Sequence, residues 1–149
     1  MAVQTHPRPE VLNESVFHLM RVALQEHTAA WNERTGADPA AECTKPQYAV
    51  LRAVEGDPGL DQASAAQFAG SDKATVAALL DRLEGRRLIR REVDPLDRRR
   101  KKLYLTRRGE SLLASVGPVV LSINDELLSR LSPAEQAELA ALLRKLARR

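Results

Sequence analysis

The stretch that most restricts what this chain can fold into is 71–106, SDKATVAALLDRLEGRRLIRREVDPLDRRRKKLYLT. Val76, Leu79, Leu80 and Leu83 recur at i, i+3, i+4 and i+7, the apolar stripe of a helix packed on a core. The opposite face carries Lys73, Ala74, Thr75, Ala77, Ala78, Asp81 and Arg82, polar at its start and small in the middle. Two runs of strand composition follow, 88–93 and 101–105, and in the second Leu103 and Leu105 alternate with Lys102 and Tyr104. Between the runs, Asp94-Pro95-Leu96-Asp97 is a turn, and Arg98-Arg99-Arg100 comes straight after it. The segment predicts a helix joined to a basic β-hairpin.

Charge sharpens this. Residues 82–108 hold twelve Lys/Arg against four acids, a net +8, although the whole 149-residue chain sums to +3. The rest of the chain is therefore net acidic, and cations gathered on one segment are the footprint of an element that binds a polyanion. A charge run is usually just solvated surface. Here it lies on a hairpin directly behind a helix with a small-residue outer face. Such a face lets a helix sit deep in a major groove, where Ala and Thr methyls meet thymine methyls.

The sequence before this stretch supplies the rest of a DNA-binding lobe. Thr44-Lys45-Pro46-Gln47 is a helix start, with Thr44 as cap, Pro46 in the first turn and Gln47 able to close a capping box. That helix carries Tyr48, Val50, Leu51 and Val54 and stops at Gly56; Asp57-Pro58-Gly59 is a turn. Asp61 caps a short helix over 62–68, Ala69-Gly70 breaks it, and Ser71 or Asp72 caps the next. Two short helices joined by a turn form a helix-turn-helix, and with the hairpin they predict a winged helix.

Both ends of the chain are helical. Leu12, Val16, Leu19, Met20, Ala23, Leu24 and Trp31 mark one long amphipathic helix from Pro9 to about Arg34, ended by Gly36 and Pro39. Thr106 caps another, with Leu112, Leu113, Val116, Val119, Val120, Ile123, Leu127 and Leu131 in helical register and a bend expected at Gly117-Pro118. Ser132-Pro133-Ala134-Glu135 starts the last, which is expected to pack Leu139, Leu142, Leu143 and Leu146. Residues 9–34 and 106–147 carry more apolar surface than one small lobe covers. They predict a homodimer with two-fold symmetry, presenting its winged helices to successive major grooves ~34 Å apart. The organisation expected is one domain over 1–149, mainly α, with a DNA-binding lobe at about 40–105 and a dimerisation lobe at about 9–34 plus 106–147.

Several classes are disfavoured. No apolar run approaches the ~20 residues of a membrane span, and MAVQTHPRPEVLNE lacks a signal pattern, so a soluble cytoplasmic protein without membrane partners is expected. Cys43 is the single cysteine, which excludes an intrachain disulfide and a thiolate zinc cluster. His6, His18 and His27 form no i, i+4 pair, so no metal is expected. The chain has no HExxH, GxSxG, P-loop or dinucleotide glycine pattern, so neither an enzyme nor a cofactor is expected.

The order of elements, together with TKPQYAVLRAV, PGLDQASAA, DKATVAALLDRLE and DPLDRRRKKLYLTRRG, resembles the MarR family of bacterial transcriptional regulators. The resemblance spans nearly the whole chain, and the DxxDRR wing followed by LxLTxxG is its most specific part. It implies a triangular dimer of winged helices that usually represses a nearby gene from a pseudo-palindromic operator. It also implies a small, often aromatic and anionic, ligand that binds between the two lobes and lowers DNA affinity. By position, 72–83 corresponds to the recognition helix, and Asp97 and Arg99 to the family's wing acid and minor-groove arginine, with Asp97 positioning a neighbouring basic side chain. The DNA-binding set is Ser71, Asp72, Lys73, Ala74, Thr75, Ala78, Arg82, Asp97, Arg98, Arg99, Arg100 and Lys101. The chain departs from the family where Ala65 and Ser71 replace large aliphatic residues; either packing there is looser or Phe68 compensates. The family's glycine before the first wing strand aligns with Arg87, so either the helix ends sooner or Arg87 is left-handed.

The PGLDQ turn and DKAT are most similar to the branch of the family that governs aromatic-compound catabolism. Candidate effector residues are His18, Arg21, Trp31, Gln47 and Tyr48, with His18 and Arg21 one turn apart to hold a carboxylate and Tyr48 to supply a phenol. His18 and Arg21 as surface or inter-subunit contacts is the competing reading. Two further alternatives are a redox-responsive regulator using Cys43 and a winged-helix module whose basic wing binds an acidic protein.

Overall fold

The computed structural model describes residues 15–35, 43–69 and 73–147. The element order is α1 (Val16–Thr35), α2 (Lys45–Gly56), β1 (Leu60–Asp61), α3 (Gln62–Ala69), α4 (Lys73–Gly85), β2 (Ile89–Val93), β3 (Lys101–Leu105), α5 (Arg107–Leu128) and α6 (Pro133–Ala147). The expected start of the first helix at Pro9 and the caps Ser71 and Asp72 lie outside the described residues.

Residues 35–120 form one compact unit, and described residues 15–34 and 121–147 the other. In the first, α2 begins as its sequence dictates. The Gln47 amide donates to Thr44 Oγ1 at 3.4 Å and the Thr44 amide to Gln47 Oε1 at 3.1 Å, closing the capping box. Val50, Leu51 and Val54 of α2 are buried with Ala65 and Ala69 of α3 and Val76, Leu80 and Leu83 of α4; Leu79 is only partly covered. Ala65 is fully buried, whereas Phe68 is half exposed, so Phe68 does not compensate for the small residue beneath the recognition helix. Ala65 and Ala69, four apart, take the core-facing positions of this short helix, and Phe68 lies beside them, half in solvent.

The sheet has three antiparallel strands in the order β1-β3-β2, one more than the expected hairpin. Leu60 pairs with Leu103 and Asp61 with Lys102, so the residues read as a helix cap also form a two-residue edge strand. Gly59 lets the chain turn into it: its φ is 95°, its amide donates to Leu103 O at 2.8 Å, and a Cβ there would lie 3.3 Å from the Tyr104 hydroxyl. Asp61 still caps α3, accepting the Ser64 amide at 2.8 Å.

At the end of α4 both alternatives for the joint are realised. The helix stops at Gly85, and Arg87 takes a φ of 57°. The Leu88 amide donates to Leu83 O at 2.9 Å and the Arg87 amide to Glu84 O at 2.8 Å, the paired bonds of a Schellman motif. Its left-handed position is one where glycine is usual. Arg87→Gly is therefore expected to stabilise the fold by about 1 kcal/mol, read as a higher urea midpoint at unchanged slope. A lower midpoint would show that the strain is absent.

In the other unit, α1 lies along the second half of α5. Glu26 pairs with Arg130 at 2.9 Å, Arg34 pairs with Glu126 and donates to Ser122 Oγ at 3.2 Å, and His27 Nε2 lies 3.3 Å from Asn124 Oδ1. Residues 26–34 and 122–130, far apart in sequence, thus meet in space. Ser132 and Glu135 cap α6 reciprocally, the Ser132 amide reaching Glu135 Oε2 at 2.7 Å. No residue of α6 is buried: Leu139, Leu142, Leu143 and Leu146 are between 39% and 55% exposed, so within one chain they do not pack as expected. Val16, Phe17, Leu19 and Leu24 of α1 are more than half exposed too. Helix α5 runs on through Pro118, and it alone among the described helices is long and apolar enough to cross a membrane. Leu112, Leu113, Val116, Val120 and Ile123 of α5 are instead buried in the protein.

Candidate nucleic-acid interface

Helix α4 turns Val76, Leu80 and Leu83 inward and leaves Ala74, Thr75, Ala77, Ala78, Asp81 and Arg82 exposed. The outer surface is therefore low and largely uncharged at its centre, with Arg82 toward the end. Lys73 begins the helix, and its side chain lies outside the described residues.

The wing is shaped by two aspartates that fold the loop around their carboxylates. Asp94 is buried; its Oδ1 accepts the Leu96 amide at 2.9 Å and Lys102 lies 3.5 Å away. The Leu96 amide, aided by the Lys102 ammonium, holds the Asp94 carboxyl below its usual range. Asp97 accepts the Arg99 backbone amide at 3.0 Å, and its carbonyl accepts the Arg100 amide at 2.9 Å. It acts on the Arg99 backbone, and among the described residues it makes no ion pair.

The cations of the basic segment divide by partner. Arg90 pairs with Glu92 and stacks over Tyr104, 4.5 Å from the ring centroid; Arg100 lies 3.8 Å from Asp61. Arg91, only 12% exposed, reaches Asp81 at 2.5 Å and Glu84 at 3.3 Å. Arg98, Arg99 and Lys101 are exposed, and no acid among the described residues pairs with them. Arg98, Arg99 and Lys101 thus bring unneutralised charge to the wing tip, where a phosphate backbone can take it up. Arg91 was not singled out from the sequence. Its place two residues after buried Ile89, on the same strand face, is the signal that could have found it.

The candidate effector residues fall in both units. In one, Arg21 Nη2 lies 3.0 Å from His18 Nδ1 while Nη1 donates to Gln25 Oε1 at 3.1 Å, so the two are brought together on the surface of α1. Trp31 is buried, its ring centroid 6.2 Å from that of His27. In the other unit, Gln47 is buried and engaged in the capping box, and Tyr48 is half-buried. Cys43 is 4% exposed, and burial, partly offset by nearby Arg86, pushes its thiol up to about 11. A thiol held protonated at neutral pH is a poor nucleophile, which weakens the redox alternative.

A helix-turn-helix, a recognition helix with a small exposed face and a wing with an uncompensated cationic tip define a winged-helix DNA-binding protein. A family model described as MarR family matches residues 44–100. The chain is 43% identical over 135 residues to the transcriptional regulator HosA of Escherichia coli O111:H-, covering 91% of this chain and 96% of HosA. It matches the structure of the PcaV transcriptional regulator from Streptomyces coelicolor in complex with its natural ligand at 36% identity and TM-score 0.81, over 91% of this chain and 94% of PcaV. It also matches BpsR of Bordetella bronchiseptica, whose DNA binding is regulated by 6-hydroxynicotinic acid, at 30% identity and TM-score 0.82, over 95% and 98%. The chain belongs to the MarR family of transcriptional regulators.

Proposed function

We propose that this regulator is a cytoplasmic homodimeric repressor that binds a pseudo-palindromic operator and is released by a small aromatic acid. The observation that carries the dimer is the apolar surface left open on α1, the end of α5 and α6, where ten large hydrophobic side chains between Val16 and Leu146 are more than a third exposed in the terminal unit. A soluble protein does not leave so large an apolar face in water, and a second copy covers it symmetrically. In each copy α4 reads base edges with Ala74, Thr75, Ala78 and Arg82, helped by Ser71, Asp72 and Lys73 at its start. Arg98, Arg99, Arg100 and Lys101 hold the backbone and minor groove.

The aromatic-acid effector is supported by the regulation of BpsR by 6-hydroxynicotinic acid and by the adjacent His18 and Arg21. An arginine fork beside an imidazole suits a carboxylate, and Trp31, Gln47 and Tyr48 complete the candidate set. The test is selection of bound duplexes from random DNA, repeated with benzoate-, nicotinate- and phenol-type ligands, on wild type and Arg21→Ala. The expected result is a palindromic site whose affinity falls about tenfold or more with one acid, a response that Arg21→Ala loses. Unchanged operator affinity across the panel, with Arg21→Ala behaving as wild type, would sink the effector assignment. A monomeric mass by light scattering at micromolar concentration would sink the dimer.

A further inference from the structure

Arg91 differs from every other cation in the basic segment: it lies on β2 yet is held by the recognition helix. Nη2 sits 2.5 Å from Asp81 Oδ1, and Nε is 3.3 Å from Glu84 Oε2, the latter an ion pair rather than an aligned hydrogen bond. Asp81 and Glu84 are one turn apart on α4, so a single guanidinium spans the last turn before the Schellman joint. Ile89 on the same strand face is 2% exposed, which fixes the stem of the strand from which Arg91 projects.

We propose that Arg91 is a positioning residue for DNA binding: it fixes the wing to the recognition helix so that both meet the duplex in one docking event. This rests on the reading that α4 and Arg99 are the two DNA-contacting elements. An ordinary arginine of a basic segment adds affinity by pairing with phosphate. Arg91 is turned inward and neutralised by two carboxylates, so it contributes by preorganisation instead. Two contact elements on one rigid body pay the ordering cost before binding, and a wing free to swing pays it during binding.

Positioning and simple electrostatics predict opposite signs for removing the acids. Asp81→Asn with Glu84→Gln deletes two negative charges beside the reading face, which by charge alone tightens binding to DNA. If the clamp matters, the same double variant weakens it. The side chains of Asp81 and Glu84 are 69% and 45% exposed, so both amides are compatible with the fold. A second variant, Arg91→Met, keeps the packing stem and removes the charge.

The probe is the duplex selected by wild type, titrated at several salt concentrations, with helical circular dichroism and the melting temperature recorded alongside. We expect both variants to bind about tenfold more weakly at every salt concentration, with helicity and the log-log salt slope unchanged. Tighter or unchanged binding by the Asp81→Asn/Glu84→Gln variant overturns the proposal. So does a slope lowered by ~1 per site in Arg91→Met, which would make Arg91 a phosphate contact. Failure of wild type itself to select any duplex would strike the DNA-site reading instead, a distinguishable outcome.

Discussion

Arg99→Ala is expected to weaken operator binding by about a hundredfold while leaving the melting temperature unchanged. Arg99 is exposed, and no acid among the described residues pairs with it, so the folded state loses little when the side chain is cut back. Its backbone amide is held by the Asp97 carboxylate at 3.0 Å, which fixes the point from which the side chain starts. A well-aimed arginine in a narrow minor groove is worth ~1–3 kcal/mol, and a dimer loses two at once. The salt slope is expected to fall by ~2 per dimer, in contrast to Arg91→Met. Gel-shift titration at three salt concentrations reads both quantities. Retained affinity would refute the role given to Arg99.

The largest effect on stability is expected from Gly109→Ala. A Cβ there would stand 2.1 Å from the Leu88 carbonyl oxygen, a backbone atom that cannot rotate aside. That oxygen also accepts the Thr106 amide at 3.1 Å and the Thr106 hydroxyl at 3.2 Å, while Thr106 Oγ1 caps α5 by accepting the Gly109 amide at 3.1 Å. Making room for one methyl therefore breaks several bonds together. A loss of about 3 kcal/mol is expected, or roughly 10 °C in melting temperature at fixed protein concentration. An unchanged melting temperature would show that the junction yields more easily than these contacts imply. The same geometry explains the LTRRG sequence, whose threonine caps and whose glycine makes room.

The fold was legible in the sequence wherever a local signal sufficed. Caps at Thr44, Asp61, Thr106 and Ser132, the apolar stripe of α4 and the two wing strands all followed from spacing and residue type. What escaped depended on contacts between distant segments. Strand β1 is two residues long and exists only because β3 offers an edge, so no period could mark it. The partners of Arg91 and Arg100 are set by how the wing folds back on α4 and β1, not by neighbours in sequence. A block of twelve cations therefore read as uniform, although several are neutralised inside the lobe. The small face of α4 was readable because it needs only helical geometry. The leucines of α6 were legible as an apolar stripe, and they stand 39–55% exposed, because periodicity marks a stripe without saying what covers it.

The backbone of Leu88 has a mechanical consequence. Its amide closes the end of the recognition helix on Leu83, and its carbonyl receives the start of α5. One residue thus ties the end of the reading helix to the start of the long helix that follows the wing. A twist applied to the first turn of α5 reaches α4 through that single residue. Compliance in that long helix belongs further along, at Pro118, where the ring deletes a rung of the ladder. The reading helix is tied to the start of a long helix whose soft point lies near its middle.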